Sequence, residues 1–370
     1  MGKLNGLVIE LTENPKGVGV CYAGQQIAGR VIVDLKESMQ MKNIRVQLNG
    51  RAYTKWTEHR TTKKRSKKGN SRKRHTERYS AEECYVKEEV VVFGKKHGES
   101  GTNPSLPAGR HQYMFNFLLP QNCPSSFEGE FYGNIRYILT ATIDRPWRFN
   151  HVSKTPICVV GLIDLNLDPS YGQPLEMNDG KTLGVMCCGS GQIQQDVMLP
   201  KRGFVPGEVF DFTVNINNES SRKINRVTAA IIQYVCYSAS HLGRWRTRES
   251  KRSLYQHCNN QAIQEGNNRE VLFSNVRIPP VPPTLDTCGI IKIAYLLKVE
   301  TSPSGPSFCL DTKLPIVIGT VPLRQLNAAR PSYEICKFGT VNIREEDDQH
   351  TKGNLNFAPK YPFFSSKTKH

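Results

Sequence analysis

The chain contains the same pattern of β-strands twice, at a constant spacing of 183 residues. Gly24 and Gly207 each precede a segment in which apolar and polar residues alternate. Apolar residues then recur at matching positions, which are Ile27, Val31, Val33, Ile44, Val46 and Leu48 in the first copy and Phe210, Val214, Ile216, Val227, Ala229 and Ile231 in the second. Strand side chains have a period of two, so a one-residue slip would turn every core residue outward. The constant spacing therefore indicates two copies of one β-sheet unit.

A later strand extends the repeat at a shorter spacing. Two prolines four residues apart precede a strand centred on Tyr137, and a second such pair precedes a strand centred on Tyr295. The spacing shortens because the first copy has the longer connection before this strand. Sustained helical periodicity is almost absent, and Gly and Pro separate many short strands. The sequence therefore predicts an all-β fold of two tandem immunoglobulin-like β-sandwiches.

The length of 370 residues suits two domains and a tail. We predict an N-terminal sandwich over residues 1–163, a short hinge over 164–180, a C-terminal sandwich over 181–322 and a flexible tail over 323–370. The hinge is polar and rich in turn residues, and the tail has charge runs with few apolar clusters. The N-terminus lacks the layout of a signal peptide, and no apolar stretch approaches the ~20 residues that span a bilayer. We therefore expect a cytoplasmic chain with free thiols.

One segment carries much of the positive charge. Residues 60–78 hold ten Lys or Arg and one acid, which contributes +9 to the formal net charge of +17. The segment lies between a strand that ends near Trp56 and the apolar run 90–93, so the sequence predicts a long basic loop. Like charges keep such a loop extended until an anion gathers them. The candidate anion-binding or membrane-binding residues are Lys63, Lys64, Arg65, Lys67, Lys68, Arg72, Lys73 and Arg74.

Several interpretations of this basic loop stay open. An anionic membrane leaflet would attract it by about 1 kcal/mol per Lys or Arg near the surface. Acidic or phosphorylated tails of receptors would pair with the same arginines. The pattern also resembles a nuclear import signal, whereas nucleic acid is not expected, because the run lacks aromatic residues for base stacking. A solvated loop without a dedicated partner is the simplest interpretation.

No constellation of catalytic or metal-binding residues is recognisable in the sequence. Cys187 and Cys188 are adjacent, so their side chains would point to opposite faces of a strand, whereas a zinc site needs paired ligands such as Cys-x-x-Cys. The glycine clusters lack the remaining features of a dinucleotide or phosphate loop, and no Gly-x-Ser-x-Gly motif occurs. We therefore expect no enzymatic activity, no cofactor and no metal.

Several short motifs together resemble the arrestin fold and, more narrowly, the α-arrestins, which are the arrestin domain-containing proteins. The motifs are Gly133–Tyr137, Asp144–Pro146, Asp164–Asn166, Cys187-Cys188, Gly203–Glu208 and Leu314–Pro322. The resemblance covers about residues 4–322, and the order and spacing of the motifs carry it. It implies an N-terminal and a C-terminal arrestin sandwich in a cytosolic adaptor that binds membrane receptors or transporters as cargo.

The resemblance also implies Pro-Pro-x-Tyr motifs in the tail, which dock on WW domains of HECT-type ubiquitin ligases. This chain has two degenerate versions, Pro331 with Tyr333 and Pro359 with Tyr361, each without the first proline. A WW groove binds a preformed polyproline turn and a tyrosine, so the loss of one proline weakens binding. Two Pro/Tyr pairs in an ordinary linker are an equally good interpretation.

These features predict a non-enzymatic adaptor or scaffold in membrane-protein trafficking, endocytosis and ubiquitin-dependent turnover. It would link cargo to ubiquitin-ligase or endosomal machinery, in the cytoplasm and peripherally at the plasma membrane and endosomes. The alternative is a nuclear regulatory or scaffold protein addressed by residues 60–78. The first strand, Leu4–Leu11, is a candidate edge for pairing with a cargo peptide, although a strand tied into its own sheet is the simpler interpretation.

Overall fold

The computed structural model describes residues 3–12, 19–66, 69–96, 98–182, 191–305, 309–324, 331–344 and 351–365, with the backbone alone at 62–66 and 69–73. The first copy of the repeat contains β1 (Leu4–Leu11), β2 (Val20–Tyr22), β3 (Gln26–Leu35), β4 (Met39–Gln40), β5 (Asn43–Ser66), β6 (Gly69–Gly94), β7 (Ser105–Leu106), β8 (Gly109–Leu118), β9 (Phe127–Glu128), β10 (Gly133–Asp144) and β11 (His151–Val160). A short 3-10 helix (Pro169–Gly172) precedes the second copy, which contains β12 (Leu175–Thr182), β13 (Gln192–Leu199), β14 (Gly203–Phe204), β15 (Val209–Asn218), β16 (Ile224–His241), β17 (Arg244–Asn259), β18 (Asn267–Arg277), β19 (Ile291–Pro303) and β20 (Leu310–Ile318). The C-terminal segment contains β21 (Ser332–Ile335), β22 (Val341–Asn342), β23 (Asn356–Phe357) and β24 (Lys360–Phe363).

The first copy is a sandwich of two sheets. One sheet has the order β1-β3-β8, and the other has the order β6-β5-β10-β11-β2, with β9 on β10. Alternate residues of β10 face the interior, since Ile135, Tyr137 and Leu139 are completely buried. Period-two side chains from the two sheets fill the core between them.

The second copy has the same architecture with one additional edge strand. Its sheets have the orders β12-β13-β15-β18 and β14-β20-β19-β16, with β17 on β16. In its core, the Phe212 and Phe273 rings stack with centroids 4.9 Å apart. The structure confirms the predicted all-β fold with two tandem sandwiches.

The two copies share details that the repeat predicts. All twelve apolar residues of the opening repeat are buried. The Tyr137 hydroxyl donates to the Pro124 carbonyl at 2.8 Å, and the Tyr295 hydroxyl donates to the Pro282 carbonyl at the same sequence separation. A short strand also closes each copy in parallel, β2 on β11 and β14 on β20. The second copy therefore repeats the hydrogen bonding of the first as well as its apolar pattern.

The copies meet where β16 lies beside β6. The Thr54 hydroxyl of the first copy donates to the Ser238 carbonyl of the second at 2.7 Å. Tyr237 lies so close to Gly129 that a Cβ at this glycine would be 2.5 Å from the tyrosine hydroxyl. Such a Cβ would also meet the Gly133 carbonyl oxygen of the first copy, so a larger residue at position 129 would disturb both this turn and the contact between the copies.

The connection between the copies is anchored at its start. Asp164 forms a bridge with Val321, and Asn166 Nδ2 donates to the Pro322 carbonyl at 2.9 Å. β12 begins at Leu175, which lies inside the predicted hinge 164–180. Residues 175–180 of the predicted hinge therefore belong to a strand, and the first residues of the connection tie the end of the first copy to the end of the second.

The predicted basic loop 60–78 is wrong, because the segment forms a β-hairpin. β5 and β6 remain paired as far as Ser66 opposite Gly69. The prediction considered the repulsion between like charges, whereas the backbone ladder continues through a segment that also contains Thr57, Thr61 and Thr62, and Thr favours strands. The Arg60–Glu77 ion pair at 3.3 Å links the two strands on one face. We call residues 57–78 of this hairpin the basic arm.

The predicted flexible tail is corrected in its described parts. β21 pairs with β24, and β22 pairs with β23. Leu355, Phe357 and Tyr361 are buried. The sequence pattern did not reveal this, because these apolar residues pack on the sandwiches and are too scattered to show a period of their own. We call residues 331–344 and 351–365 the strap.

Two further features of the described residues bear on function. β1 pairs only with β3 among the described strands, so it lies at the edge of its sheet. No helix among these residues combines the length and the apolar composition that crossing a bilayer requires.

Candidate functional site

The basic arm places the predicted anion-binding residues on two adjacent strands. Lys63, Lys64 and Arg65 lie on β5, Arg72, Lys73 and Arg74 lie on β6, and Lys67 and Lys68 lie outside the described residues. The register sets Lys63 opposite Arg72. The backbone ladder therefore brings the candidate residues of the two strands next to one another.

The β16/β17 hairpin of the second copy adds arginines that the sequence analysis missed. Arg244, Arg246 and Arg248 are exposed and alternate along β17, so they share one face of the strand. The signal was present in the sequence as three arginines at every second position. It was overlooked because it lies far along the chain from the basic segment.

Direct contacts join this hairpin to the base of the basic arm. Arg248 donates to the Glu58 carboxylate at 2.8 Å, and His241 Nδ1 donates to the Arg78 carbonyl at 2.9 Å. The Tyr79 ring lies 5.6 Å from the His241 ring and stacks on Trp56 at 5.8 Å. The fold therefore unites two basic hairpins, one from each copy, into one surface.

Few acids offset the charge of this two-hairpin surface. Arg60 and Arg248 are paired with Glu77 and Glu58 respectively. The hydrogen bond from the Tyr79 hydroxyl, followed by the charges of Arg60, His241 and Arg244, lowers the pKa of Glu77. That carboxylate therefore stays ionised.

Arginines and exposed apolar residues occur together at the tip of the β16/β17 hairpin. Leu242 is 90% exposed and Trp245 is 62% exposed. Trp245 and Arg246 line an open hollow together with Ser238, Thr247 and Gly289. A cation beside an aromatic wall suits a ligand that carries both an anionic group and a short apolar side chain.

The structure separates the candidate WW-binding residues from this surface. Tyr361 is 1% exposed, and its hydroxyl donates to the Ser126 carbonyl at 2.8 Å. Pro359 is also buried. Tyr333 is half-buried, and its hydroxyl lies 2.6 Å from that of Tyr22. A WW groove must enclose the tyrosine ring, so Tyr361 cannot bind one in this conformation.

The strap holds both copies of the repeat. On the first copy, the Lys360 amide donates to Cys158 Sγ at 3.2 Å, beside the buried Tyr361. On the second copy, the Phe364 amide donates to the Pro206 carbonyl at 2.8 Å. Burial raises the pKa of the Cys158 thiol to about 12, so it stays protonated. The strap therefore packs against both copies and spans the boundary between them.

The described residues contain no group of three His, Cys, Asp or Glu side chains that could hold a metal ion. Cys187 and Cys188 lie outside the described part of the chain. The thiols of Cys21, Cys123 and Cys288 have pKa values raised by burial, which disfavours the nucleophilic thiolate. The two-hairpin surface offers arginine donors that suit carboxylates and phosphates.

Comparison with known proteins identifies both sandwiches. Residues 9–166 match the N-terminal domain of arrestin (or S-antigen), and residues 189–323 match its C-terminal domain. Arrestin domain-containing protein 17 of Caenorhabditis elegans is 34% identical over 308 residues, which are 81% of this chain and 68% of the relative.

More distant relatives match over a similar span. Arrestin domain-containing protein 4 of Mus musculus is 28% identical over 323 residues, 87% of this chain and 73% of the relative. Thioredoxin-interacting protein of Homo sapiens is 25% identical over 300 residues, 80% of this chain and 71% of the relative. Both sandwiches, in this order, are matched by the family, and the chain therefore belongs to the arrestin family of adaptors, within its arrestin domain-containing group.

Proposed function

We propose that this protein is a non-enzymatic adaptor in membrane-protein trafficking, which binds acidic or phosphorylated cytoplasmic segments of receptors or transporters. The two-hairpin surface carries the proposal, because it concentrates cations from both copies. The protein would act in the cytoplasm and peripherally at the plasma membrane and endosomes. Its relatives are arrestin domain-containing proteins and do not favour the alternative of a nuclear regulator.

An extended acidic segment fits this surface chemically. Arg244 and Arg246 are exposed, and Arg74 and Arg78 are exposed on the adjacent arm. Within the described residues none of the four forms an ion pair with an acid. Bidentate arginine contacts with carboxylate or phosphate are among the strongest hydrogen bonds available at a surface. The hollow beside Trp245 would accept an apolar side chain of the same segment.

The test uses fluorescence anisotropy of a labelled acidic peptide and its phosphorylated form with the full chain. We expect Arg244→Ser/Arg246→Ser to weaken binding at least about tenfold, because hydrogen bonds to charged groups each contribute roughly 1.5–3 kcal/mol. Lys223→Ser/Lys313→Ser is the matched control, since both lysines are exposed and lie elsewhere on the second copy. An equal loss of peptide affinity in the arginine variant and the lysine variant would show that the peptide is attracted by net charge alone.

A second arm of this experiment separates peptide from lipid. Replacing the Lys and Arg residues of 63–74 by Ser or Gly should weaken peptide binding and its dependence on salt. Sedimentation of the same variant with anionic vesicles tests whether these residues bind a leaflet instead. If this variant loses vesicle binding but keeps peptide binding, the basic arm binds lipid. That result would contradict the proposed cargo site.

We further propose that the adaptor links its cargo to ubiquitin-ligase machinery through Pro331 with Tyr333 and Pro359 with Tyr361. The second pair would become available only when the strap leaves Ser126. Pull-down with isolated WW domains should recover the wild-type chain better than Tyr333→Ala or Tyr361→Ala. Equal recovery of all three chains would remove WW domains from the proposal.

A further inference from the structure

The turn between β10 and β11 displays two aromatic side chains in solvent. Trp147 is 101% exposed and Phe149 is 94% exposed. Trp and Phe normally bury most of their surface, so a turn with both fully exposed is unusual. We call residues 145–150 the aromatic turn.

The backbone of the aromatic turn is held in a specific shape. Trp147 has φ of 60°, a left-handed conformation that bulky residues rarely adopt. The Arg145 guanidinium donates through Nε to the Phe149 carbonyl at 2.8 Å, and the Arg145 amide donates to Asn150 Oδ1 at 3.1 Å. These bonds order the turn from within, while the two aromatic rings have no contact with the sandwich. The strain is maintained at a site whose side chains do not stabilise the fold.

Cations surround the aromatic turn. Arg148 is exposed within it, and the exposed Lys352 is bonded through its backbone amide to the Val152 carbonyl at 2.9 Å. Exposed Lys42 and Lys96 and half-buried Lys95 lie at the same end of the sheet, where the Lys95 amide donates to the Lys42 carbonyl at 3.0 Å.

Acids among the described residues also lie at this end of the sheet, and Glu89 pairs with Arg45 at 3.5 Å. Asp144 is shared between Lys42 at 3.7 Å and Arg45 at 3.6 Å. Glu99 accepts from the Lys96 amide at 2.9 Å. Among the described residues at this end of the sheet, the local balance is therefore positive.

We propose that the aromatic turn is a membrane-interface anchor, with Trp147 and Phe149 inserting among the headgroups of an anionic leaflet. Tryptophan is enriched at membrane–water interfaces, where an apolar ring meets a polar boundary. Basic residues beside the inserting rings add attraction to anionic lipid. A membrane suits this turn better than a protein partner does, because a six-residue turn without a groove offers far less than the ~800 Å² per partner of a stable protein interface.

The aromatic turn is separate from the two-hairpin surface. Asp144 at the end of β10 lies opposite Asn43 at the start of β5, whereas the tip of the basic arm is at Ser66. About 46 Å of extended strand already lie between Asn43 and Thr57, where the basic arm begins, at about 3.3 Å per residue. The lipid anchor and the proposed cargo site can therefore be disabled independently.

The test compares binding of the full chain to vesicles of phosphatidylcholine alone and vesicles that also contain phosphatidylserine. We expect binding to the anionic vesicles, and a loss of at least about tenfold in Trp147→Ser/Phe149→Ser, because interfacial burial of both rings is removed. Phe131→Ser is the matched control, since it removes an exposed aromatic ring that precedes the other end of β10 and lies outside both proposed sites. It should keep vesicle binding within about twofold.

Tryptophan emission tests the same proposal without relying on a disruptive variant. Trp56 is buried, so Trp245→Phe leaves Trp147 as the one exposed tryptophan of the three in the chain. Anionic vesicles should shift its emission to the blue and protect it from an aqueous quencher. The reciprocal Trp147→Phe chain should show no shift, because Trp245 lies at the opposite end.

Three results would overturn the proposal. They are the absence of binding to anionic vesicles, unchanged binding by Trp147→Ser/Phe149→Ser, and an equal loss in the Phe131→Ser control. Binding of the acidic peptide to Trp147→Ser/Phe149→Ser, measured by fluorescence anisotropy, distinguishes failure of the lipid anchor from failure of the proposed cargo function. The peptide should bind this variant as it binds the wild-type chain.

Discussion

The two copies of the repeat have the same interior and different extremities. Each begins with a glycine at positive φ, Gly24 at 79° and Gly207 at 89°, and each buries a tyrosine bonded to a proline carbonyl. The β5/β6 hairpin has strands of 24 and 26 residues, whereas its counterpart β16/β17 has strands of 18 and 16. Core packing therefore keeps the interiors of the two copies alike, whereas turns and hairpin tips can carry different charges and exposed aromatic residues.

The last turn of each sandwich shows the same contrast. The aromatic turn of the first copy contains Trp147 between Arg145 and Arg148, followed by Phe149. The corresponding connection of the second copy, residues 304–309, has no basic residue. The register places His151 of β11 where β20 has Leu310. The first copy therefore carries most of the features that suit an anionic partner.

The largest expected effect concerns the strap, which covers the first copy more closely than the second. Tyr361→Ala removes a buried ring and its bond to Ser126, at a cost of about 3–5 kcal/mol. We expect the strap to detach while both sandwiches remain folded. Hydrogen exchange in 332–335 and 360–363 should then rise strongly. Tyr333→Ala is the control, and its effect should be smaller because that ring is half-buried; unchanged exchange in Tyr361→Ala would contradict the packing described above.

The buried tyrosines allow the two cores to be compared by one-atom deletions. Tyr137→Phe leaves the Pro124 carbonyl without its donor, at about 1–3 kcal/mol. Tyr295→Phe should cost more, because the buried Gln233 amide also donates to Tyr295, at 2.8 Å. Denaturant midpoints, with hydrogen exchange of β10 and β19 to separate the domains, measure both. An equal cost would mean that Gln233 finds another acceptor.

Gly24 and Gly207 occupy equivalent turns of the two copies, and the turn of Gly207 contacts the strap. Alanine at either position has a left-handed backbone, which costs roughly 1–2 kcal/mol. At Gly207 the new Cβ would also lie 2.7 Å from the Phe364 amide nitrogen, whereas at Gly24 it meets the flexible Gln121 side chain at 3.2 Å. We expect Gly207→Ala to lower the melting temperature further and to raise exchange in the strap. Identical effects of the two variants would show that the Phe364 contact is easily lost.

The smallest expected effect is a pH dependence confined to the first copy. Burial, followed by the charges of Arg145 and Lys352, lowers the pKa of His151 to about 4, below its usual 6.5. Between pH 4 and pH 6.5 the unfolded chain binds more protons than the folded chain does. His151 therefore stabilises the folded state above pH 6.5, and this stabilisation is lost as the pH falls towards 4. His151→Leu, which copies the second sandwich, should flatten the melting temperature between pH 7 and pH 5. A wild-type slope retained in this variant would assign the effect to other groups.

The extent to which the sequence predicts the structure differs from one element to the next. The alternating residues of β3, β5, β15 and β16 predicted strands that are buried on one face, because a period of two is a local property. The basic arm was mistaken for a loop, because its ladder depends on a partner strand that charge counting ignores. The strap was mistaken for a flexible tail, since Leu355 and Tyr361 bury against surfaces far away in the chain.

The sequence by itself determined the duplicated all-β architecture and the identity of the core, because side-chain alternation and its spacing specify which face of each strand is apolar. Only the tertiary structure decided which surfaces were assembled. The pairing of β16 beside β6 brought Arg246 to the base of the basic arm, and antiparallel register sent Trp147 to the opposite end. Such juxtapositions depend on sheet order and register between distant segments, which no local pattern of residues encodes.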